Sequence, residues 1–159
     1  MKELEIHFDE LFKVLKNEIQ KAENSFRFFC PFIKRKTLES ILKSKKEKCQ
    51  VEIITSWKPT NIAFGVSDID IYELKENYKI HIYINDRIHL KTYLLDDKDV
   101  LTGSANITGK GLGLNPNYNY ETLVKVQDGL NDPYRIYLNK ILQSSKYVTG
   151  SFLTNYWLS

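Results

Sequence analysis

An α/β fold is what this sequence predicts, on three observations. Residues 25–57 read strand, helix, strand, and a unit of that length places its two strands parallel in one sheet. Three further strand candidates follow between residues 79 and 103, separated only by short turn segments. Helical periodicity brackets these strands, first near residues 9–23 and again after residue 132.

Taken in order, Phe8, Leu11, Phe12, Leu15, Ile19 and Ala22 recur at three- and four-residue spacing, which predicts an amphipathic helix over residues 9–23. Residues 25–32 (Ser-Phe-Arg-Phe-Phe-Cys-Pro-Phe) read as a strand ended by Pro31. Leu38, Ile41 and Leu42 define a second helix with lysine-rich outer positions, and residues 51–57 form a β-branched strand closed by Pro59. Residues 68–77 predict a short helix on Ile69, Tyr72 and Glu73. Strands are expected over 79–84, 89–95 and 100–103, with turns at Asn85-Asp86-Arg87 and Asp96-Asp97-Lys98. A loop rich in Gly and Asn covers 108–119, and residues 121–126 are a further strand. Asp132 as N-cap and Pro133 in the first turn open the last predicted helix, whose apolar face is Tyr134, Tyr137, Leu138, Ile141 and Leu142. The ending, residues 151–159, is apolar and abrupt, suited to covering a core edge or to leading into a further domain.

Length and composition fit one domain spanning residues 1–159, with 42% hydrophobic and 27% charged residues. No apolar run reaches the roughly 20 residues that span a bilayer, and the charged start Met1-Lys2-Glu3-Leu4-Glu5 lacks a signal-peptide core, so a cytoplasmic location is the default expectation. Cys30 and Cys49 supply neither a disulfide framework nor a zinc site, and are read as small buried hydrophobes. No cofactor or metal is expected. The net charge of +3 permits an anionic partner without demanding one.

Chemistry concentrates in two short segments, His89-x-Lys91-x4-Asp96 and Gly103-Ser104-x-Asn106. Strand alternation puts His89, Lys91 and Tyr93 on one face, with His89 and Lys91 about 7 Å apart along it and within reach of one phosphate. Lys91 by charge and Asn106 as an amide donor suit non-bridging phosphoryl oxygens, and Ser104 adds a further donor. Gly103 allows close backbone approach. A neutral His89 is a competent nucleophile toward phosphorus when one nitrogen is free and the other donates to a carboxylate, for which Glu121 is the candidate. Asp96 lies seven residues from His89, an odd separation that points it away from the site and toward a structural role.

This spacing, with Glu121 downstream, resembles the HKD signature of the phospholipase D superfamily. The resemblance implies a mixed β-sheet flanked by helices on both faces, and a metal-independent, two-step displacement. In that chemistry the motif histidine attacks phosphorus, a second histidine protonates the leaving oxygen, and water then releases the phosphoryl group. It assigns His89 as nucleophile or acid, Lys91 and Asn106 as phosphate clamps, Ser104 as a supporting donor and Glu121 as the orienter of His89. Two histidines are needed, and neither His7 nor His81 rebuilds the motif. Family members with one motif generally dimerise, which implies an isologous homodimer with both copies of His89 at one phosphate.

Compact single-motif members resemble nucleases, including the catalytic domains of some restriction endonucleases, so DNA is the expected substrate. The run Lys34-Arg35-Lys36, Lys43, Lys45, Lys46, Lys48 could neutralise backbone phosphates, although alone it reads more readily as a solvated helix face. Lys58, Arg87, Lys98 and Lys110 lie on predicted loops nearer the motif and are the expected nucleic-acid contacts; the 108–119 loop is expected to border the site. Trp57 is read as core. No sequence-reading module is visible, so a site-specific enzyme would carry its DNA-recognition domain beyond Ser159. Two alternatives remain open: a phospholipid phosphodiesterase or phosphatidyltransferase, and a non-catalytic DNA-binding module on the same scaffold. Stable membrane association is not expected.

Overall fold

A computed structural model describes residues 3–158, with side chains from Glu3 to Asn155. Met1, Lys2, Ser159 and the side chains of Tyr156, Trp157 and Leu158 lie outside it, so the readings of the charged start and the apolar ending are covered only in part. In chain order the elements are β1 (Leu4–His7), α1 (Leu11–Lys21), β2 (Ser25–Phe29), α2 (Arg35–Leu42), β3 (Gln50–Thr55) and α3 (Pro59–Ala63). A 3-10 segment (Ile69–Leu74) runs into α4 (Lys75–Tyr78), followed by β4 (Ile80–Ile84), β5 (Lys91–Leu95), β6 (Asp99–Gly103) and β7 (Leu123–Val126). Then come α5 (Asp132–Gln143), β8 (Lys146–Tyr147) and α6 (Gly150–Leu158).

Among the described residues the strands form one eight-stranded sheet in the order β1-β7-β6-β5-β2-β3-β4-β8. The β2-α2-β3 unit is parallel, as its length requires, with Phe26 opposite Val51 and Phe28 opposite Ile53. β4 adds in parallel to β3, and every other pairing is antiparallel, so the sheet is mixed. Alternation divides the core. Phe26, Phe28, Ile53, Tyr93 and Leu101 meet Leu15 and Ile19 of α1 and Leu38 and Ile41 of α2 on one face. Phe29, Ile54, Leu94 and Val100 meet Leu130, just before α5, and Leu138 of α5 on the other. Helices therefore cover both faces, and each fully buried Phe or Leu contributes roughly 1.5–3 kcal/mol of transfer free energy.

Several local expectations are corrected. The turn at residues 85–87 joins no hairpin: β5 pairs with β2 and β6, so residues 85–90 cross the ends of β3 and β2. β5 starts at Lys91, leaving His89 and Leu90 in the crossing. The N-cap of α5 is Asn131, whose side chain accepts the Tyr134 N–H at 3.0 Å, and Asp132 is the first helical residue. Phe8 is 76% exposed and Tyr137 55% exposed, so neither belongs to a buried stripe. β1 was not anticipated. It is a four-residue edge strand with Leu4 and Ile6 exposed, and a strand whose two faces both meet solvent leaves little burial pattern to read. The β5–β6 hairpin does form, with Asp96 and Asp97 at φ 51° and 55° at its tip. Phe152 and Leu153 of α6 pack against the core.

Candidate active site

Strand polarity gathers the candidate residues on one edge of the sheet. β2, β3 and β4 end there, as Phe29, Thr55 and Ile84. Because β5 runs antiparallel to β2, its first residue also lies there, and the pairs Lys91–Gly103 and Gly103–Leu123 carry the same edge to β6 and β7. The Cys30 loop, the 85–90 crossing, Ser104 and Thr122 all leave the sheet on this side. In sheets of this kind, the loops beyond the carboxyl ends of the parallel strands are where ligands bind.

Lys91 is half-buried and directly opposite Gly103. A Cβ at Gly103 would stand 2.0 Å from the Thr122 carbonyl oxygen, so only glycine lets β7 approach here. Beyond it the chain folds inward. The Tyr93 hydroxyl, fully buried, donates to the Ala105 carbonyl at 2.7 Å, and the Ile107 N–H donates to Cys30 Sγ at 3.4 Å. Asn106 follows from this anchoring. Its Oδ1 accepts the Phe32 N–H and the Cys30 thiol, each at 3.4 Å, which leaves the amide nitrogen as the donor available to a ligand. Burial pushes the Cys30 thiol up to about 11, against the smaller opposing effects of hydrogen bonding with Tyr93, Ile107 and Phe32 and of the Lys91 charge, so it is neutral and donates. Sequence reasoning placed Cys30 in the core and missed this partnership; the only signal was its position at the end of β2.

Ser104 is committed to the scaffold. Its Oγ accepts the Thr122 N–H at 3.0 Å and its own N–H donates to the Thr122 carbonyl at 3.0 Å. This clasp fixes the residue after Glu121. Glu121 lies just before β7, half-buried, close enough to Tyr93 that its charge helps raise the phenol well above its ordinary value, after the larger effect of burial. It lines a small hollow of about 90 Å³ with Tyr118 and Asn119 of the 108–119 loop.

His89 is exposed on the crossing and its ring makes no hydrogen bond among the described residues. It lines a different, larger groove of about 610 Å³ between the crossing and α5. The fold thus unites Lys91, Gly103, Asn106 and Cys30, and joins Ser104 to the segment of Glu121, while the expected His89–Glu121 hydrogen bond is not made in the single chain. His81 bonds the Tyr147 hydroxyl at 2.9 Å on β4, and His7 contacts Glu5 at 3.2 Å on β1. Among the described residues no group of three or more His, Cys, Asp or Glu side chains is arranged to hold a metal ion.

A family model described as "Cardiolipin synthase, PLD-like domain" matches residues 15–142, most of the chain. The chain belongs to this PLD-like family. Among solved structures it is similar to Nuc from Salmonella typhimurium, a phospholipase D family member, at 16% identity and a TM-score of 0.73, covering 94% of this chain and 100% of that one. NucT from Helicobacter pylori is similar at 18% identity and a TM-score of 0.67 over 93% and 100%. Phosphatidylserine synthase from Haemophilus influenzae follows at 15% identity and 0.63, over 92% of this chain but only 40% of that one. At these identities the likeness is one of fold. No curated protein matches the chain.

Asp96, the third signature residue of this PLD-like domain, stands at the opposite sheet edge. Its carboxylate accepts the backbone N–H groups of Glu23, Asn24 and Ser25 at 2.7–3.1 Å, and its own N–H donates to the Ser25 carbonyl. Partial burial alone would raise its pKa, but these three N–H donors and the charge of Lys46 outweigh burial and hold it below the usual aspartate value. Lys98 shares that far edge, paired with Asp128 at 3.4 Å, and so lies away from His89, contrary to expectation. Lys58, Arg87 and Lys110 are exposed on loops at the site edge. The 34–48 basic run is largely spoken for: Lys34 pairs with Asp68, Arg35 with Asp70 and Glu73, Lys46 and Lys48 with Glu23, and Lys45 caps the carbonyls of residues 46, 47 and 49. Trp57 is buried. No helix of the described residues is long and apolar enough to cross a membrane.

Proposed function

We propose that this PLD-like domain is a metal-independent phosphodiesterase, an endonuclease that hydrolyses DNA through a phosphohistidine in a homodimeric active site. The observation that carries the reading is the collection of His89, Lys91, Asn106, Ser104 and Glu121 on one sheet edge, with only one such set per chain. An imidazole nitrogen of His89 attacks phosphorus and a P–O bond breaks. The leaving oxygen takes a proton from His89 of a second copy. Water, deprotonated by that second histidine, then attacks phosphorus, breaks the P–N bond and releases a phosphomonoester. Lys91 and the Asn106 amide hold the non-bridging oxygens, where charge builds in each transition state. Glu121 orients the imidazole once the two copies close the site, since such hydrogen bonds often tighten only in the assembled complex.

DNA as substrate is favoured by the fold likeness to two compact chains of the same extent, Nuc and NucT, each covered over its whole length. The lipid alternative takes its support from the family description and from the phosphatidylserine synthase likeness, which covers less than half of that protein. The test is cleavage of DNA and of bis(p-nitrophenyl) phosphate in excess EDTA, beside molar mass by light scattering. Wild type is expected to be an EDTA-resistant dimer, and His89→Ala to lose turnover by at least about 10³-fold, as for loss of a nucleophile. Turnover surviving in His89→Ala, or an EDTA-sensitive reaction, contradicts the mechanism. Headgroup release from vesicles without DNA cleavage would transfer the reading to lipid.

A further inference from the structure

The groove beside His89 has features that the chemistry above does not use. One wall is the 85–90 crossing and the other is α5, and the two are tied together: the Asn85 side chain donates to the Ile141 carbonyl and to the hydroxyls of Ser144 and Ser145 at 3.1–3.4 Å. Two cations line it, Arg87 and Lys140. Neither forms an ion pair among the described residues, in contrast to the 34–48 run, where most of the cations are paired with carboxylates. Among the described residues no carboxylate lines the groove. Asp86, the acid of the crossing, is occupied elsewhere, accepting from the Ser56 hydroxyl and the Trp57 N–H at 3.1 and 3.2 Å.

The third feature is aromatic. Tyr137 lines the groove and is 55% exposed. Behind it stands Tyr134, stacked at 6.2 Å between centroids and 13° between planes. Tyr134 is held in turn by packing on the α5 core and by a hydroxyl contact with Thr92 at 3.4 Å. Tyr137 is therefore a braced, half-exposed ring, and an aromatic surface in a groove that also holds two cations suits a nucleic-acid strand, the ring for a base and the cations for its phosphates. The volume of about 610 Å³ lies within the usual range of ligand sites, and His89 borders the same space.

We propose that this groove is the binding site for an unpaired DNA strand flanking the scissile phosphate, with Tyr137 stacking on a base and Arg87 and Lys140 holding phosphates of neighbouring nucleotides. The proposal rests on the endonuclease reading and adds a substrate preference to it. A base within a duplex has both faces covered by its neighbours, so Tyr137 selects single strands. Affinity follows from stacking and charge without base-edge hydrogen bonds, and is indifferent to sequence.

The test is fluorescence anisotropy with a labelled dT12 oligonucleotide and a 12-base-pair duplex, in a His89→Ala background that prevents turnover. Tyr137→Ala is expected to weaken dT12 binding roughly tenfold, as loss of one stacked base does, and to erase most of the preference over duplex. Tyr137→Phe is expected to keep both. Arg87→Ala with Lys140→Ala is expected to flatten the slope of log affinity against log salt by about 1.4, at about 0.7 per single-strand phosphate. Unchanged dT12 affinity in a folded Tyr137→Ala, or duplex bound as tightly as dT12 by the His89→Ala parent, overturns the proposal. Its failure is separable from that of the endonuclease reading. If otherwise wild-type protein cuts no DNA in EDTA while dT12 binding still depends on Tyr137, the nuclease reading falls and the groove stands; DNA cleavage with Tyr137-independent binding gives the converse.

Discussion

Replacing Asp96 separates the two roles a signature carboxylate can have. Its oxygens accept three backbone N–H groups from residues 23–25, across 71 to 73 residues of sequence, and so tie the β5–β6 hairpin to the end of α1 and the start of β2. Two of those N–H groups are exposed and can turn to water; the Ser25 N–H is partly buried and cannot do so fully. Taking about 1.5–2 kcal/mol for the buried charge-assisted bond and about 0.5 kcal/mol for each exposed one gives roughly 2.5–3 kcal/mol. Asp96 also sits at φ 51°, where Asn is tolerated but Ala adds about 1 kcal/mol. Asp96→Ala is therefore expected to lose about 3.5–4 kcal/mol and Asp96→Asn, which keeps Oδ1 as acceptor, about 1–2 kcal/mol. For a domain of this size these correspond to drops in Tm of roughly 7–16 °C and 2–8 °C. The pH dependence has a definite sign. A carboxyl held below its ordinary pKa when folded contributes fully above about pH 4 and loses that contribution as pH falls through the folded value, so wild type and Asp96→Asn converge in acid. The assay is urea unfolding from pH 7 to 3 beside turnover of bis(p-nitrophenyl) phosphate at pH 7. A folded Asp96→Asn whose kcat falls by orders of magnitude with little change in stability would place the carboxylate in the chemistry and refute the reasoning.

Two further outcomes follow from the site edge. Gly103→Ala is expected to cost at least 2–3 kcal/mol, because the added methyl meets a backbone carbonyl at 2.0 Å, and to disrupt the Ser104–Thr122 clasp; a chemical denaturation curve matching wild type would contradict the packing. Cys30 is expected to resist thiol reagents such as 5,5′-dithiobis(2-nitrobenzoate) until the protein unfolds, its pKa being near 11 and its side chain fully buried. Cys30→Ala is expected to lower kcat several-fold through a loosened Asn106, and retained full activity would exclude that positioning role.

The chemical groups were legible without coordinates. His89, Lys91, Ser104 and Asn106 stand at spacings that the chain itself displays, and the β2-α2-β3 unit was readable because burial imposes a period of two on strands and near 3.6 on helices. Asp96 does lie away from His89, but not by alternation: His89 precedes β5 and Asp96 follows it, so the length of the strand sets them at opposite sheet edges. Strand order was not legible. The short turn at residues 85–87 has the look of a hairpin, yet β5 pairs with β2, because the β2–β5 pairing is a long-range contact and local pattern reports only what a residue buries, not against which strand. From that one choice come the neighbours of Asn106 across 76 residues, the anchoring of the 23–25 segment by Asp96, and the groove between the crossing and α5. Sequence by itself determined which groups are candidates for phosphodiester chemistry; the tertiary structure decided which edge gathers them, what holds Asn106 and Ser104 in place and where the groove beside His89 lies, because those depend on pairings between segments far apart in the chain.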